Sequence, residues 1–404
     1  MATFSRLHVQ GFRRLADVDI ELRPLCVAIG ANGCGKTSLL DVFSLLSASA
    51  RAEFAKSIGD LGGFSSVNTR DSEGVLEFVA SLTIPWGSTG LAKRRVDRYD
   101  YRLSLKQQGM GYAIEGESLV RNAIGIAESQ ELIRSIRSNV EYLDDAMNVG
   151  KAPGSKTKKP TYIRADSLFH NPLETALSQV TRQPSELGHV RNSLEAYTYY
   201  SALPVAPRSP VRLPQVIRPA SLPGKDGEEL VSCLVNLRET DRGRFETVED
   251  TLKAAFNSFE RLDFPPVAAG TLAMTWKDKN FSRPFYMHEL GEGMLRFLWL
   301  VTLLQSPGLT AITLIDEPEV SLHPELLALL ADLFREASAR TQLIVATHSD
   351  RLVRFLEPKE VLAFDVAEDG TTTAKWADEH DLDRWLADYT LDEVWRMGRI
   401  GGRS

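Results

Sequence analysis

Three short stretches carry residues whose types and spacing can do chemistry on a phosphate. The first, Gly30-Ala31-Asn32-Gly33-Cys34-Gly35-Lys36-Thr37, has the spacing G-x-x-x-x-G-K-T. Backbone N–H groups can converge on an anion only if the chain takes dihedral angles that a Cβ resists, which explains glycine at 30, 33 and 35. Lys36 is then the cation for the terminal phosphates of a nucleotide. The hydroxyl of Thr37, with Ser38 beside it, is a ligand for Mg²⁺, and Asn32, Gly33, Cys34 and Gly35 form the cradle. The second stretch, "AITLIDEPEVSLHP", is an apolar run that stops at Asp316 and Glu317. One carboxylate can hold the metal and the next can take a proton from an attacking water, so Asp316 is the expected metal ligand and Glu317 the expected general base. The third, "LIVATHS", stops at Thr347, His348 and Ser349. An imidazole at such a strand end can touch a γ-phosphate and register its loss.

The elements that must position these groups are legible in the flanks. "LCVAIG" before the loop is a short β-prone run and "KTSLLDVFSLLS" after it is amphipathic at helical spacing, which gives strand, glycine turn and helix in that order. The helix N-terminus adds partial positive charge where phosphates would sit. The last third alternates strands with helices, implying a mostly parallel sheet with ligands at the C-terminal ends of its strands. A further helix begins near Gly291, in "HELGEGMLRFLWLVTLL"; Gly291, Glu292 and Gly293 open it, and its exposed N-terminus is a second anion site. Being far along the chain from the phosphate loop, it is expected to serve a second copy.

Between these parts the chain reads differently. "GVLEFVASLTI" and "YDYRLSLKQQGMGYAIEGESL" alternate as strands, whereas Leu132, Ile136, Val140 and Leu143 predict one face of a helix. Leu203 to Gly224 carries six prolines and must be irregular. "DGEELVSCLVNLRETDRGRFETVEDTLKAAFNSF" reads as helix with Asp226 as N-cap. The expected organisation is a split domain, 1–80 with 264–404, interrupted by inserted strands and a mostly helical subdomain over 81–263.

Composition is that of an ordinary globular chain of 404 residues, with net charge −7. Bulk charge therefore does not draw it to nucleic acid. Residues 92–160 are the exception, with 13 Lys or Arg against 9 Asp or Glu; 93–102 and 151–159 are candidate DNA contacts, weighed against a solvated face. The longest apolar runs, such as Phe297 to Leu304, are too short to span a bilayer, and a cytoplasmic protein is expected. Three cysteines without metal or disulfide spacing suit a reducing compartment.

As a set, the G-x-N-G-x-G-K-T loop, "LGEG", "LIDEPE.SLHP" and "ATHS" resemble the ABC-type ATPases of the RecF/SMC/OLD group, and within it the stand-alone bacterial AAA-family "predicted ATPases". The resemblance covers most of the chain, from "RLHVQGFRRLADVDIEL" to "LADYTLDEVWRMGRIGGR". It implies an α/β P-loop fold, a two-lobed ATPase head with a mixed sheet and a helical insertion. Two heads would sandwich ATP and Mg²⁺, each loop completed in trans by the partner's Gly291 to Gly293. Asp316 and Glu317 would be the Walker B pair, Ser321 to Pro324 the D-loop, His348 the switch histidine, and Gln179 in "ALSQV" a sensor of metal and water. The implied activity is ATP hydrolysis driving a dimeric switch, in DNA maintenance or phage defence, with an effector from a neighbouring gene. One departure concerns Gly291, where the family usually has Ser; the lost charge-assisted hydrogen bond is worth about 1.5–3 kcal/mol and predicts slow turnover or weak dimerisation. A nucleotide-gated scaffold with little hydrolysis stays open on that ground. A transporter's ATP-binding subunit is the other alternative, against which "LGEG", the large insertion and "SLHP" argue.

Overall fold

The computed structural model describes residues 2–69, 74–86, 95–123, 129–136, 139–143, 162–164, 171–180 and 185–401. Contacts divide the chain into two compact units, Met1–Arg23 with Ala31–Tyr197 and Phe364–Lys375, and Pro24–Gly30 with Thr198–Ala363 and Trp376–Ser404.

The first unit is built on an eight-stranded antiparallel sheet. Its strands run in the order Leu15–Glu21, Thr3–Phe12, Val75–Trp86, Arg95–Gln108, Gly111–Ala123, Ser129–Ile136, Asn139–Leu143 and Tyr162–Arg164. One face is apolar because alternate residues point the same way; Phe4, Leu7 and Val9 are buried, as are Phe78, Ala80 and Leu82 on the next strand. The helix Lys36–Arg51 supplies Leu39, Phe43 and Leu46 to that core, with Phe43 edge-on to Phe4 at 5.8 Å.

Residues 129–143 are strands, which corrects the helix expected there. Leu132, Ile136 and Val140 recur every four residues, and a spacing of four satisfies a period of two as well as it approximates 3.6. Pairing decides between the two: Ser129–Ile136 is hydrogen-bonded along Gly111–Ala123, and Asn139–Leu143 folds back on it. Ile136, expected on the buried face, is exposed. Helices of the insertion in this unit are the short Ala176–Gln179 and Ser185–Glu195.

The second unit contains the parallel strands Ile312–Asp316, Gln342–Ala346 and Leu25–Ile29 and the first half, to Ala363, of Val361–Val366, in that order. All five residues of Leu25–Ile29 and of Gln342–Ala346 are buried, as expected of parallel strands covered on both faces. Helices Glu292–Gln305 and Leu326–Ser338 bury Trp299, Phe297, Leu330 and Phe334 in the same core. The region after the prolines forms two helices, Leu230–Thr240 and Arg242–Ala255. Their caps are Glu229 and Asp241 rather than Asp226; the non-helical backbone of Asp241 breaks the expected single helix, and its carboxylate accepts the Arg244 N–H at 3.3 Å. Leu203 to Gly224 is irregular as expected, with one 3₁₀ turn at Pro210–Arg212 and the two-residue strand Gln215–Val216. No helix among the described residues is long and apolar enough to cross a membrane.

Candidate functional site

In the first unit the loop before Lys36–Arg51 takes the geometry its glycines permit. Gly33 and Gly35 have φ of 75° and 113°. A Cβ on Gly35 would come within 2.9 Å of Leu15. Gly35 brings no side chain to cap the helix, and no acidic residue occupies its first turn, so the helix dipole and the N–H groups of that turn are left for an anion. Lys36 is buried, with its ammonium 2.9 Å from the carbonyl of Ala31 and 3.6 Å from the sulfur of Cys34. The lysine therefore folds back along the loop it must serve. Thr372, a residue the sequence reading passed over, donates its hydroxyl to the Cys34 carbonyl at 2.7 Å and pins the loop. Its signal was weak, a threonine in a run of three. Asn32, Gly33 and Thr37 are exposed and Ser38 is buried. Cys34 is fully buried, so it contributes backbone to the cradle and is shielded from oxidation.

Gln179 does not behave as the resemblance implies. Its amide nitrogen donates to the carbonyls of Asn171, Glu174 and Thr175 at 2.9–3.2 Å, and its oxygen accepts the Asn171 N–H at 2.7 Å. It closes its own loop. The short helix that carries it is held by Glu117, whose buried carboxylate accepts the N–H groups of Ala176 and Leu177 and the hydroxyl of Tyr101. Burial pushes that carboxyl up to about 7, and those hydrogen bonds only partly offset it.

In the second unit the parallel register sets the geometry. Asp316 lies opposite Ala346, and Ala346 opposite Ala28. Hence Asp316, the Ala346–Thr347 step and the strand that runs into Gly30 all end on one edge, the C-terminal edge where ligands bind in open α/β sheets. Tyr199, also missed from sequence, donates its hydroxyl to Asp316 at 3.2 Å. Glu317 has φ of 50°, a conformation a non-glycine residue holds only under constraint. The Glu317 N–H to the Ala346 carbonyl, 2.9 Å, supplies it. That turn aims the Glu317 carboxylate at His348, 3.7 Å away, with both side chains partly exposed. The structure thus brings together the proposed base and the proposed switch histidine.

Gly291 is the N-cap of Glu292–Gln305, and Gly291 and Glu292 are exposed. Gly293 packs against the backbone of Ser321: a Cβ there would lie 2.7 Å from its carbonyl oxygen. Arg296, one turn on, donates to the Val320 carbonyl and the Ser321 hydroxyl at 3.2 and 2.5 Å.

Of the candidate DNA contacts, 93, 94 and 151–159 lie outside the described residues. Within 95–102, Arg98 pairs with Asp100 and Arg102 with Glu77, at 3.1 and 2.7 Å. Those two cations are already matched inside the sheet.

A parallel sheet with one strand leading into a glycine-rich phosphate loop and another ending in Asp316 is the architecture of P-loop ATPase domains. The chain belongs to the family described as "AAA domain, putative AbiEii toxin, Type IV TA system", which matches residues 27–354; it is a nucleotide-binding ATPase domain of that type. No curated protein matches it. Solved structures similar to it include the SmcHead bound to the C-winged helix domain of ScpA, 15% identical at a TM-score of 0.48 over 93% of this chain and 99% of that one. Another is the SMC head domain from Thermotoga maritima, 13% identical at 0.42 over 93% and 98%. A third is the Smc head domain with an extended coiled coil bound to the C-terminal domain of ScpA derived from Pyrococcus furiosus, 12% identical at 0.47 over 98% of each.

Proposed function

We propose that the chain is a Mg²⁺-dependent ATPase that works as an ATP-driven dimer. The observation that carries this is the edge of the second unit's sheet, where Asp316, Glu317 and His348 emerge level with the strand leading into the phosphate loop. The donor set fits the ligands. Backbone N–H groups, an uncapped helix N-terminus and Lys36 suit a polyphosphate; the Thr37 hydroxyl and the Asp316 carboxylate are hard oxygen donors of the kind Mg²⁺ takes. When bound, the metal neutralises phosphate charge. The protein's own work is then proton and charge handling: Glu317 accepts a proton from the attacking water, and His348 donates a hydrogen bond to the γ-phosphate oxygens. The exposed Gly291 end of Glu292–Gln305 is the anion site offered to a second copy.

Replacing Glu317 with Gln removes the base and keeps the shape. ATP hydrolysis should fall at least 100-fold while ATP binding persists and the dimer accumulates. A variant that stays monomeric with ATP at micromolar protein, by light scattering, would count against the dimer.

A second reading, a nucleotide-gated scaffold with little hydrolysis, is favoured by Gly291 itself, which gives the exposed N-terminus no hydroxyl. Gly291→Ser should then raise ATPase rate or ATP-driven dimerisation; no change in either removes this account of a slow site. The biological setting we propose is DNA maintenance or phage defence through an effector encoded nearby. It is tested by co-purification with neighbouring gene products in the presence and absence of ATP. A direct DNA role would require Arg94, Arg95, Lys158 and Lys159, and charge reversal there should lower affinity and flatten its salt dependence.

A further inference from the structure

Two residues beyond Glu317, Glu319 has no role in the reading above, yet its environment is unusual for a carboxylate. One oxygen accepts the hydroxyl proton of Thr347. The other, Oε2, is buried with no hydrogen-bond partner among the described residues. Thr347 is fully buried and in turn accepts the Ser349 N–H at 3.0 Å. Ser349 caps the next turn by accepting the Leu352 N–H at 3.2 Å. His348 stands between the two residues so clamped.

We propose that Glu319 is the positioning residue of the Glu317–His348 pair, holding through the Thr347 hydroxyl the turn that aims the His348 imidazole at Glu317. Without that clamp Thr347 loses the acceptor that fixes its rotamer, and the Ser349 N–H is left bonded to a hydroxyl free to turn. A buried Glu319 side chain with one oxygen unsatisfied is costly to the fold. Burial raises its carboxyl from the ordinary value, an effect opposed by the Thr347 bond and by the backbone N–H groups of Glu319 and His348. It touches no reacting atom in this scheme, so it positions and does not catalyse.

The proposal rests on the ATPase reading for its kinetic test and is independent of it for its spectroscopic one. Glu319→Ala and Thr347→Val should each lower kcat about tenfold or more with KM for ATP within about twofold. Glu319→Gln and Thr347→Ser, which keep an acceptor and a hydroxyl, should recover most of the rate. In the Glu319→Ala/Thr347→Val double variant the losses should not multiply, since both break one clamp. Independently of turnover, His348 side-chain NMR resonances, assigned by their loss in His348→Gln, should shift in Glu319→Ala and in Thr347→Val and return in the conservative variants. Should Glu319→Ala fail to fold, Thr347→Val and Thr347→Ser carry the same comparison. Multiplying losses, failure of Glu319→Gln to recover activity, or unmoved His348 resonances would overturn the proposal. A wild-type chain with no Glu317-dependent hydrolysis would instead sink the ATPase reading, leaving the NMR result to decide the clamp.

Discussion

A methyl group at Gly35 would meet Leu15 at 2.9 Å and sit on a backbone with φ of 113°, so Gly35→Ala has two physical costs. Together they should destabilise the fold by about 1–3 kcal/mol and tilt the first turn of the helix behind it. The measurable outcome is a lower melting temperature and at least a tenfold weaker binding of a fluorescent ATP analogue. Gly33, with no atom within 4 Å of a built Cβ, is the control: its alanine variant carries only the strain of φ 75° and should bind more tightly than the Gly35 variant. Equal losses would mean that backbone strain, not the Leu15 contact, governs the cradle. At this scale the sequence was informative, because phosphate chemistry demands glycine, lysine and paired acids at fixed spacing. It was silent on residues that act by touching those, such as Tyr199, Thr347 and Thr372, since a hydroxyl has no spacing signature of its own.

Elements are governed by contacts that sequence periodicity only partly encodes. Leu25–Ile29 and Gln342–Ala346 were legible because a short, wholly apolar run between turn signals has few alternatives. Leu132 to Leu143 was not, because fourfold spacing suits a helix or a strand until a neighbour at Gly111–Ala123 offers hydrogen bonds. Two predictions belong here. Gly293 lies under a backbone oxygen of Ser321, which cannot swing aside as a side-chain tip can. Gly293→Ala should cost about 1–3 kcal/mol by overpacking and shift the turn at Ser321, lowering kcat. Gly291→Ala, whose nearest neighbour is Met294 sulfur at 4.0 Å, has no steric cost and should lose only the N-cap preference for glycine over alanine, about 0.5–1 kcal/mol; the two are compared by urea denaturation. Glu117 supplies the other. Its folded carboxyl titrates near 7 against an ordinary value of 4.5, so the native state holds this proton more tightly than the unfolded one. Stability is greatest below about pH 4.5 for this group and is lost as pH rises through 7. The amount is about 3 kcal/mol at most. Glu117→Gln should flatten that part of the stability profile between pH 5 and 8; an unchanged slope would mean the Glu117 carboxyl titrates normally.

At the scale of the whole molecule, the reading turns on whether one chain holds a complete site. Two inactive variants can answer this when mixed. Lys36→Ala removes the phosphate cation and keeps Gly291 to Gly293. Gly291→Glu keeps the phosphate loop but places a negative charge on an exposed helix N-terminus, which the dipole accepts but which occupies the anion site and repels a partner's nucleotide. Each variant alone forms only dimers in which every site lacks one half. Equal mixing yields hetero-pairs in half the dimers, each with one site built from two intact halves, so for independently acting sites about a quarter of wild-type ATPase activity should return. The recovery should rise with protein concentration until dimerisation saturates, which separates it from a contaminating hydrolase. No recovery at any mixing ratio, with wild-type activity strictly proportional to concentration, would mean that each chain hydrolyses ATP alone. The Gly291 helix would then be a structural cap and not a partner's catalytic half.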